Sequence, residues 1–521
     1  MSVTPSGASE VVMIDRGPDV HEPTIPDDWE LVVGLEVHVE LSTKSKLFCG
    51  CANKFGAEPN TNVCVTCLGL PGSLPVMNEV AVTSAMRLGR ALNCTVQPGV
   101  MARKNYFYPD MPKDFQTSQY DKPTNIDGYL DTPEGIRIGI ERAHIEEDTG
   151  KSTHIGGDGR ITSAKYSLID YNRAGVPLLE IVSRPDIRTA EEAKAYVAEL
   201  RGIVLALDVS DAKMEEGSMR VDANVSVRPR GSDELRTRTE TKNINSINSL
   251  GRAIAYEARR HIDLYDAGER PIQETRHWDE EAGRTKPGRS KENEEDYRYF
   301  PEPDLTPLVP TEEEIAAVQE FVDQAETPAK ERQALESFSE QLEIALSDED
   351  VEEIRKRRLL KFVLAANTRG VELAQAGKLV PSAVNTRIKN LIRSRTESAT
   401  DEEPEMMGSC AAVECAALAA LLVEGSLSSN QGDEVLAEMV ANGGNPADIA
   451  AAKGFEAMDT SELDAMVDEL IANHPDEWSR YCGDDPGDAK KMAGFFTGQI
   501  MKATKGQADG KVVAQLLNSR K

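Results

Sequence analysis

The chain has 521 residues, of which 40% are hydrophobic, and a formal net charge of −30 at pH 7. This length exceeds what one hydrophobic core supports, so two or three domains are expected. The negative charge argues against a general nucleic-acid binder, because neutralising phosphates requires lysine and arginine. No run of about 18 apolar residues occurs, which argues against a membrane-spanning segment.

The first 28 residues have neither the basic nor the apolar region of an export signal. We therefore predict a flexible extension over residues 1–28 and a cytoplasmic protein. Disulfide bonds are not expected in that compartment, so clustered thiols would indicate a metal site instead.

Strand patterns dominate residues 29–305, which we predict to form one domain. The segment LVVGLEVHVEL alternates apolar and polar residues and puts Glu36 and His38 on its polar face. SMRVDANVSVR alternates in the same way, and PLLEIVS sets Glu180 between apolar neighbours. These patterns predict a sheet with one charged face.

The charged face has two interpretations. A solvent-exposed sheet would carry the same residues. Alternatively, an imidazole among carboxylates, with HIEEDTGKS nearby, is typical of a Mg²⁺ site, and neighbouring arginines and lysines would pair with phosphates. DTGKS itself fails the P-loop motif, because the required earlier glycine would fall at Ile145.

Four of the eight cysteines lie in one segment, as Cys49-x-Cys51 and Cys64-x-x-Cys67. Two close pairs can bring four thiolates to one tetrahedral Zn²⁺. All four positions would then be filled, so the metal would be structural. The alternative is four ordinary thiols in a loop. The remaining cysteines show no metal spacing and are expected in the core: Cys94, Cys410, Cys415 and Cys482.

The composition changes after YRYFPEPDLTPLVP, which predicts a domain boundary. The chain beyond it is rich in Ala, Glu and Leu, and we divide it into helical domains at 306–452 and 453–521. Between Lys490 and Lys521 basic residues outnumber acidic ones by six. This tail could therefore contact a polyanion.

Longer segments resemble one protein family. GLEVHVELSTKSKLFCG, RKNYFYPDMPKDFQTSQYDKP, DYNRAGVPLLEIVSRPDI, DAKMEEGSMRVDANVSVRP and DYRYFPEPDLTPL occur in this order. They resemble the B subunits of the aspartyl/glutamyl-tRNA(Asn/Gln) amidotransferases. The resemblance is nearly continuous from Leu31 to Leu308, loose from Val309 to Asp485, and returns in GQIMKATKGQAD.

This resemblance implies a ligase that corrects Glu-tRNA(Gln) or Asp-tRNA(Asn). The B subunit would use ATP and Mg²⁺ to phosphorylate the misplaced side-chain carboxylate, and ammonia would then displace the phosphate. The partners would be the A and C subunits of a heterotrimer, the first of which supplies the ammonia from glutamine. The implied fold is α+β, with a cradle domain around a mixed or antiparallel sheet, an all-α domain and a small helical tail that contacts tRNA. A stand-alone Mg-ATP ligase and a non-catalytic tRNA-binding scaffold are the alternatives.

The matching segments also imply site residues. The Mg²⁺ ligands would be His38, Glu147 and Glu180, with Glu36 as a catalytic neighbour. Candidates for binding the nucleotide or the tRNA 3′ end have polar or charged side chains nearby: Arg173, Arg220, Asp222, Asn224, Lys242 and Arg298. Members of this family occur with and without the four cysteines, so the implied zinc holds the loop at 48–68 and takes no part in the chemistry.

Overall fold

The computed structural model describes residues 25–156, 164–290, 297–342, 347, 350, 354, 359–396, 407–455, 460–483, 486–504 and 510–521. Most of the predicted extension at 1–28 lies outside these residues. The chain forms two compact units, Met1–Pro328 and Ala329–Lys521. None of the helices in the described ranges is long and apolar enough to cross a bilayer.

The first unit is built on a nine-stranded sheet with the order β13-β12-β11-β10-β1-β9-β6-β5-β2. Adjacent strands of this sheet pair antiparallel, except β11 and β12, which are parallel. A second sheet has the order β14-β3-β4, and β7 pairs with β8. The strands are β1 (Trp29–Glu40), β2 (Thr95–Val96), β3 (Ala102–Asn105), β4 (Phe115–Ser118), β5 (Asn125–Asp131), β6 (Arg137–Glu147), β7 (Lys151–Ile155), β8 (Tyr166–Asp170), β9 (Pro177–Ser183), β10 (Met219–Pro229), β11 (Thr239–Ile244), β12 (Glu274–Asp279), β13 (Arg284–Ser290) and β14 (Phe300–Pro301).

Three helices contribute to the core that covers the apolar face of the large sheet: α1 (Glu79–Ala91), α2 (Ala190–Ala206) and α3 (Ile247–Asp266). Leu35, Val37 and Val39 of β1 are fully buried in this core. Because side chains alternate along a strand, the same packing turns Glu36 and His38 toward the opposite face. The predicted mixed sheet and α+β class are confirmed.

Helix α4 (Glu312–Gln324) also belongs to the first unit. Its Val322 joins the core of the sheet, and Arg90 Nε donates to Gln319 Oε1 at 2.6 Å. The compact unit therefore extends past the boundary predicted after residue 305. The division into a sheet domain and two helical domains stays a prediction.

The described part of the second unit is helical and contains two hydrophobic cores. Helices α6 to α10 supply most of the first, and α11 to α14 surround the second, which includes Phe496 and Ile500. The helices are α5 (Pro328–Leu342), which begins at the last residue of the first unit, α6 (Leu360–Gly377), α7 (Pro381–Thr396), α8 (Ala412–Glu424), α9 (Ser429–Asn442), α10 (Pro446–Ala452), α11 (Thr460–Asn473), α12 (Pro475–Tyr481), α13 (Pro486–Ala503) and α14 (Gly510–Ser519).

Two sequence-based expectations in this region change. Cys482 is exposed at the end of α12, so its assignment to the core is wrong, whereas Cys94, Cys410 and Cys415 are buried. In the basic tail, Arg520 pairs with Asp468 and, at 2.7 Å, with Asp464. Part of the local positive charge is therefore neutralised within the chain.

Candidate catalytic and metal sites

A row of polar side chains crosses four strands of the large sheet. In the strand register, His38 of β1 lies opposite Glu180 of β9 on one side and Arg220 of β10 on the other. Glu180 in turn lies opposite His144 of β6. Since paired positions of neighbouring strands project to the same face, the four side chains form one continuous row.

His38 and Glu180 of this row form a group with Glu146, two residues beyond His144 on β6, with one ligand atom from each within 4.8 Å of the others. His38 Nε2 lies 3.5 Å from Glu180 Oε2 and 3.8 Å from Glu146 Oε1. One imidazole and two carboxylates match a hard divalent cation such as Mg²⁺, which keeps other positions for water and phosphate. His144 Nδ1 is buried and lacks a hydrogen-bond partner among the described residues, so this row also has an unused polar atom.

The protonation equilibria of these groups show how much charge is concentrated here. Burial disfavours a charged imidazole, but the hydrogen bond and charge of Glu180 raise the pKa of His38 to about 9. Burial, followed by repulsion from Glu180, raises the pKa of Glu146 to about 7. Burial also raises the pKa of Glu180, yet the His144 and His38 imidazoles lower it overall. A divalent cation would relieve the repulsion between the two carboxylates.

Glu147 does not join this group. Its carboxylate pairs with Lys113 and accepts the Thr117 backbone N–H at 2.8 Å, while Gln116 Nε2 donates to its carbonyl oxygen at 2.8 Å. Glu147 therefore ties β4 to the end of β6. Glu146, which the motif comparison leaves out, takes the place beside His38. Alternation from the apolar Ile145 would have identified it.

A second acidic group adjoins the first: Glu36, Asp222 and Glu240 also hold ligand atoms within 4.8 Å of one another. Lys242 pairs with Asp222, and its Nζ lies 3.5 Å from Glu240 Oε1. Asn224 Nδ2 donates to Glu36 Oε1 at 3.0 Å. Burial and the charge of Glu180 raise the pKa of Glu36. The predicted site includes these residues except Glu240, which lies two residues before Lys242 on β11 and therefore projects to the same face.

The predicted arginines separate into two places. Arg220 donates to Asp148 Oδ2 at 2.6 Å, and Arg173 Nε lies 3.4 Å from the same oxygen. Arg298 is exposed in the segment before β14, where Asn105 Nδ2 donates to its carbonyl at 2.7 Å. Arg220 thus ends the row, with Arg173 beside it on the same carboxylate, whereas Arg298 lies beside the small sheet.

A cavity of about 180 Å³ opens on the polar face beside Glu36. Apolar residues line it together with the side chains of Asn224, Arg236 and Arg238. Concave, partly apolar sites with a few convergent polar groups are typical of small-ligand binding. The motif comparison leaves out both of these arginines, because they lie in the connection between β10 and β11.

Lys104 of β3 is another site residue that sequence reasoning missed. Burial and the charge of Glu180 raise the pKa of Glu146, whereas the positive charges of His38 and Lys104 lower it. Lys104 Nζ also lies 4.7 Å from the centre of the Tyr297 ring. Lys104, which belongs to the small sheet, therefore interacts with the metal group of the large sheet.

Comparison with known proteins gives two family matches. Residues 31–316 match the family model described as the GatB/GatE catalytic domain, and residues 372–520 match that described as the GatB domain. The chain belongs to the GatB family. The predicted family resemblance is thereby confirmed.

Relatives of this GatB chain share nearly its full length. The aspartyl/glutamyl-tRNA(Asn/Gln) amidotransferase B subunit of Mycolicibacterium smegmatis is 47% identical over 500 residues, which cover 94% of this chain and 95% of the relative. The protein of the same name from Thermobifida fusca is 46% identical over 508 residues, 94% of each chain. That from Salinispora arenicola is 46% identical over 502 residues, 94% of this chain and 96% of the relative.

The predicted zinc quartet is assembled in this GatB chain. Cys49, Cys51, Cys64 and Cys67 are free thiols whose sulfurs lie within 4.8 Å of one another. The Cys64 and Cys67 sulfurs are 3.8 Å apart. Four thiolates about 2.3 Å from a tetrahedral zinc have sulfurs roughly 3.8 Å apart, so the donor set fits Zn²⁺.

The four thiols of the quartet differ in their pKa values, because they hydrogen-bond to one another. A hydrogen bond with Cys49 lowers the pKa of Cys67 to about 5 despite burial. Burial raises the pKa of Cys51 to about 11. Since bound thiols must lose their protons, zinc binding would release protons from this loop at neutral pH.

The cysteine loop packs against the segment that leads into β9. Leu47 N donates to Gly175 O at 2.8 Å, and Asn62 N donates to Asn172 Oδ1 at 2.8 Å. Gly175 has φ +84°, and a Cβ there would lie 3.6 Å from Cys67 Cβ and 3.9 Å from Glu147 Oε2. A zinc ion would therefore hold a loop that supports the strand carrying Glu180.

Proposed function

We propose that this chain activates the misplaced carboxylate of Glu-tRNA(Gln) or Asp-tRNA(Asn) with ATP and converts it to the amide. The observation that carries this proposal is the group of His38, Glu146 and Glu180 in a row flanked by arginine and lysine. It lies in the region that matches the GatB/GatE catalytic domain.

The reaction needs activation because a carboxylate is charged and has no good leaving group for attack by ammonia. In the proposed first step, a carboxylate oxygen bonds to the γ-phosphorus of ATP and the bond to the ADP oxygen breaks. In the second, ammonia attacks the acyl carbon and phosphate leaves. Such steps depend mainly on positioning and charge neutralisation.

Residues of this chain can supply both the positioning and the charge neutralisation. His38, Glu146 and Glu180 would hold Mg²⁺, which when bound neutralises phosphate charge. Arg220 and Lys242 border the row on the β10 and β11 side, and Lys104 borders it on the β3 side. These cations would pair with phosphate oxygens and orient the γ-phosphate between the two substrates. The cavity beside Glu36 would take the nucleoside of ATP.

Partners and cofactors follow from the same proposal. The relatives are named as B subunits, so they are parts of larger assemblies. We propose that the A and C subunits complete a heterotrimer here, that the first of these supplies the ammonia, and that the reaction takes place in the cytoplasm. Zn²⁺ on the cysteine quartet would be structural, because four thiolates leave no coordination position for a substrate.

Two other functions compete with this one. A stand-alone ligase would phosphorylate free glutamate or a peptide without tRNA. A tRNA-binding scaffold would have no need of buried carboxylates around an imidazole. Burying each such charge costs on the order of several kcal/mol, so the arrangement would destabilise a scaffold without benefit. The buried Glu146 beside His38 favours the enzyme.

The deciding experiment assembles this chain with the A and C subunits and follows labelled γ-phosphate transfer from ATP, with glutamine withheld. Transfer that requires Glu-tRNA(Gln) or Asp-tRNA(Asn) and Mg²⁺, and is lost in Glu180→Ala but kept in Glu269→Ala, supports the proposal. Glu269 is an exposed control just beyond α3. Transfer to free amino acid would favour the stand-alone ligase, and no transfer would favour the scaffold.

A further inference from the structure

A cluster of tyrosines, Tyr120, Tyr297 and Tyr299, lies next to Lys104 and has no part in the proposed phosphate chemistry; we call it the tyrosine platform. The rings of Tyr120 and Tyr299 are stacked, with centres 4.3 Å apart and planes 13° apart. Tyr297 meets Tyr299 edge-on at 6.1 Å. Tyr120 is 42% exposed, so the platform is open to solvent on one side.

The backbone beneath the platform is held firmly. Arg103 of β3 forms a two-pronged ion pair with Glu302, with both N–O distances 2.7 Å, which fixes β14 against β3. Asn105 Nδ2 donates to the carbonyls of Tyr297 and Arg298 at 3.0 and 2.7 Å. The rings are thus presented by a rigid support, which lowers the entropy cost of stacking a ligand on them.

The platform adjoins the metal group and carries positive charge. Lys104 Nζ lies 4.7 Å from the centre of the Tyr297 ring. Lys104 also pairs in register with Gln116 of β4, whose Nε2 donates at 2.8 Å to the carbonyl oxygen of Glu147, the neighbour of Glu146. Arg298, between two of the tyrosines, is exposed. Aromatic rings combined with lysine and arginine are how proteins bind single-stranded nucleic acid, by stacking on its bases and pairing with its phosphates.

The strand order separates the platform from the cavity beside Glu36. The cavity is lined by β1, β9, β10 and the connection after β10, whereas Lys104 and the platform lie on the small sheet, whose β4 is tied to β6. In-line phosphoryl transfer requires the leaving nucleotide and the attacking carboxylate on opposite sides of the γ-phosphorus. Two binding places on either side of the metal group meet this requirement.

We propose that the tyrosine platform stacks the 3′-terminal base of the aminoacylated tRNA, the nucleotide that carries the amino acid. This inference rests on the proposed function and adds the position of one of its substrates. The base would lie on the outer face of the exposed Tyr120 ring, which Tyr299 supports from behind, with Lys104 and Arg298 near the terminal phosphates. The attached carboxylate would then extend toward Glu146.

The test uses the enzyme assembled with its partner subunits. Tyr120→Ala should raise the KM for Glu-tRNA(Gln) about tenfold, in line with the loss of one base–aromatic stack, and leave the KM for ATP unchanged. Tyr299→Ala should raise the same KM by removing the ring that supports Tyr120. Tyr120→Phe keeps the stacking surface and should restore most of the tRNA affinity that Tyr120→Ala loses. Tyr166→Ala, at an exposed tyrosine of β8, is the matched control.

A direct readout does not depend on the variants folding. A tRNA with 2-aminopurine as its terminal base should lose fluorescence on binding to the wild-type complex, because stacking quenches this base. An unquenched signal on saturated binding would overturn the proposal. So would a raised KM for ATP with an unchanged KM for tRNA, which would assign the platform to the adenine of ATP. Failure of the proposed function itself would appear differently, as absence of tRNA-dependent phosphate transfer in the wild type.

Discussion

Glu146 and Glu147 are consecutive on β6, but their carboxylates lie on opposite faces of the sheet. Glu146 Oε1 is 3.8 Å from His38 Nε2, whereas the Glu147 carboxylate pairs with Lys113 and accepts the Thr117 N–H at 2.8 Å. One acid therefore belongs to the metal group, and its neighbour fastens the small sheet. Substitutions of Glu146 and Glu147 should therefore have different effects on activity and stability.

Glu146→Gln should lower tRNA-dependent phosphate transfer by about 100-fold or more, which corresponds to roughly 3 kcal/mol of transition-state stabilisation. The reason is the loss of one anionic ligand, so the Mg²⁺ concentration needed for half-maximal activity should also rise. Thermal unfolding should change little. Mg²⁺ titrations of activity provide the measurement.

Glu147→Gln should show the reverse pattern. It leaves the Lys113 ammonium without its buried partner, and breaking such a pair costs roughly 3–5 kcal/mol of stability. The melting temperature should fall, while the Mg²⁺ dependence of the remaining activity stays as in the wild type. A loss of Mg²⁺ dependence in this variant, with Glu146→Gln unaffected, would return the ligand role to Glu147.

Cys67→Ser should abolish zinc binding. Freshly purified wild-type protein should contain about one equivalent of zinc by metal analysis, as expected for a filled four-thiolate site. Less than half an equivalent would count against the site. The variant should be cleaved faster by protease in the loop at 48–68, because Leu47 and Asn62 lose their anchored positions. Cys94→Ser, at a buried cysteine away from the quartet, should keep its zinc.

Lys242→Met should weaken ATP binding. Lys242 pairs with Asp222 and approaches Glu240, so its removal leaves an uncompensated group of carboxylates beside the proposed phosphate position. The KM for ATP should rise about tenfold, and higher Mg²⁺ should recover part of the loss by replacing the missing positive charge. Lys213→Met, at an exposed ion pair with Glu216, is the control. Equal effects of the two variants would contradict a specific role.

His261 should make the stability of the first unit depend on pH. It is fully buried in α3 beside Glu257, and burial lowers its pKa to about 4. The unfolded chain, with an ordinary histidine pKa of about 6.5, binds a proton that the folded chain does not. The free energy of unfolding should therefore fall between about pH 6.5 and pH 4, by roughly 3 kcal/mol in all.

Urea unfolding at pH 7 and pH 4.5 measures this effect, followed by the fluorescence of Trp278, which contacts Tyr256 of α3. His261→Gln should remove most of the difference between the two pH values. His154→Gln, in β7 outside the core, should leave it intact. An identical pH dependence in wild type and His261→Gln would show that other groups cause it.

Several local properties of the site could be predicted from the amino-acid sequence. The alternation of LVVGLEVHVEL put Glu36 and His38 on one face, because successive side chains of a strand point in opposite directions. The spacing of Cys49, Cys51, Cys64 and Cys67 was enough to predict that the four sulfurs lie together. Long family segments identified the GatB family and the mixed sheet.

Which residues from distant segments meet depends on the three-dimensional fold. Strand register brings Glu240 to Glu36, and it brings Glu146 and Glu180, from two different strands, to His38. Register and sheet packing depend on the whole core, in which a shift by one residue would turn every side chain of a strand to the other face. No local pattern in the chain contains that information.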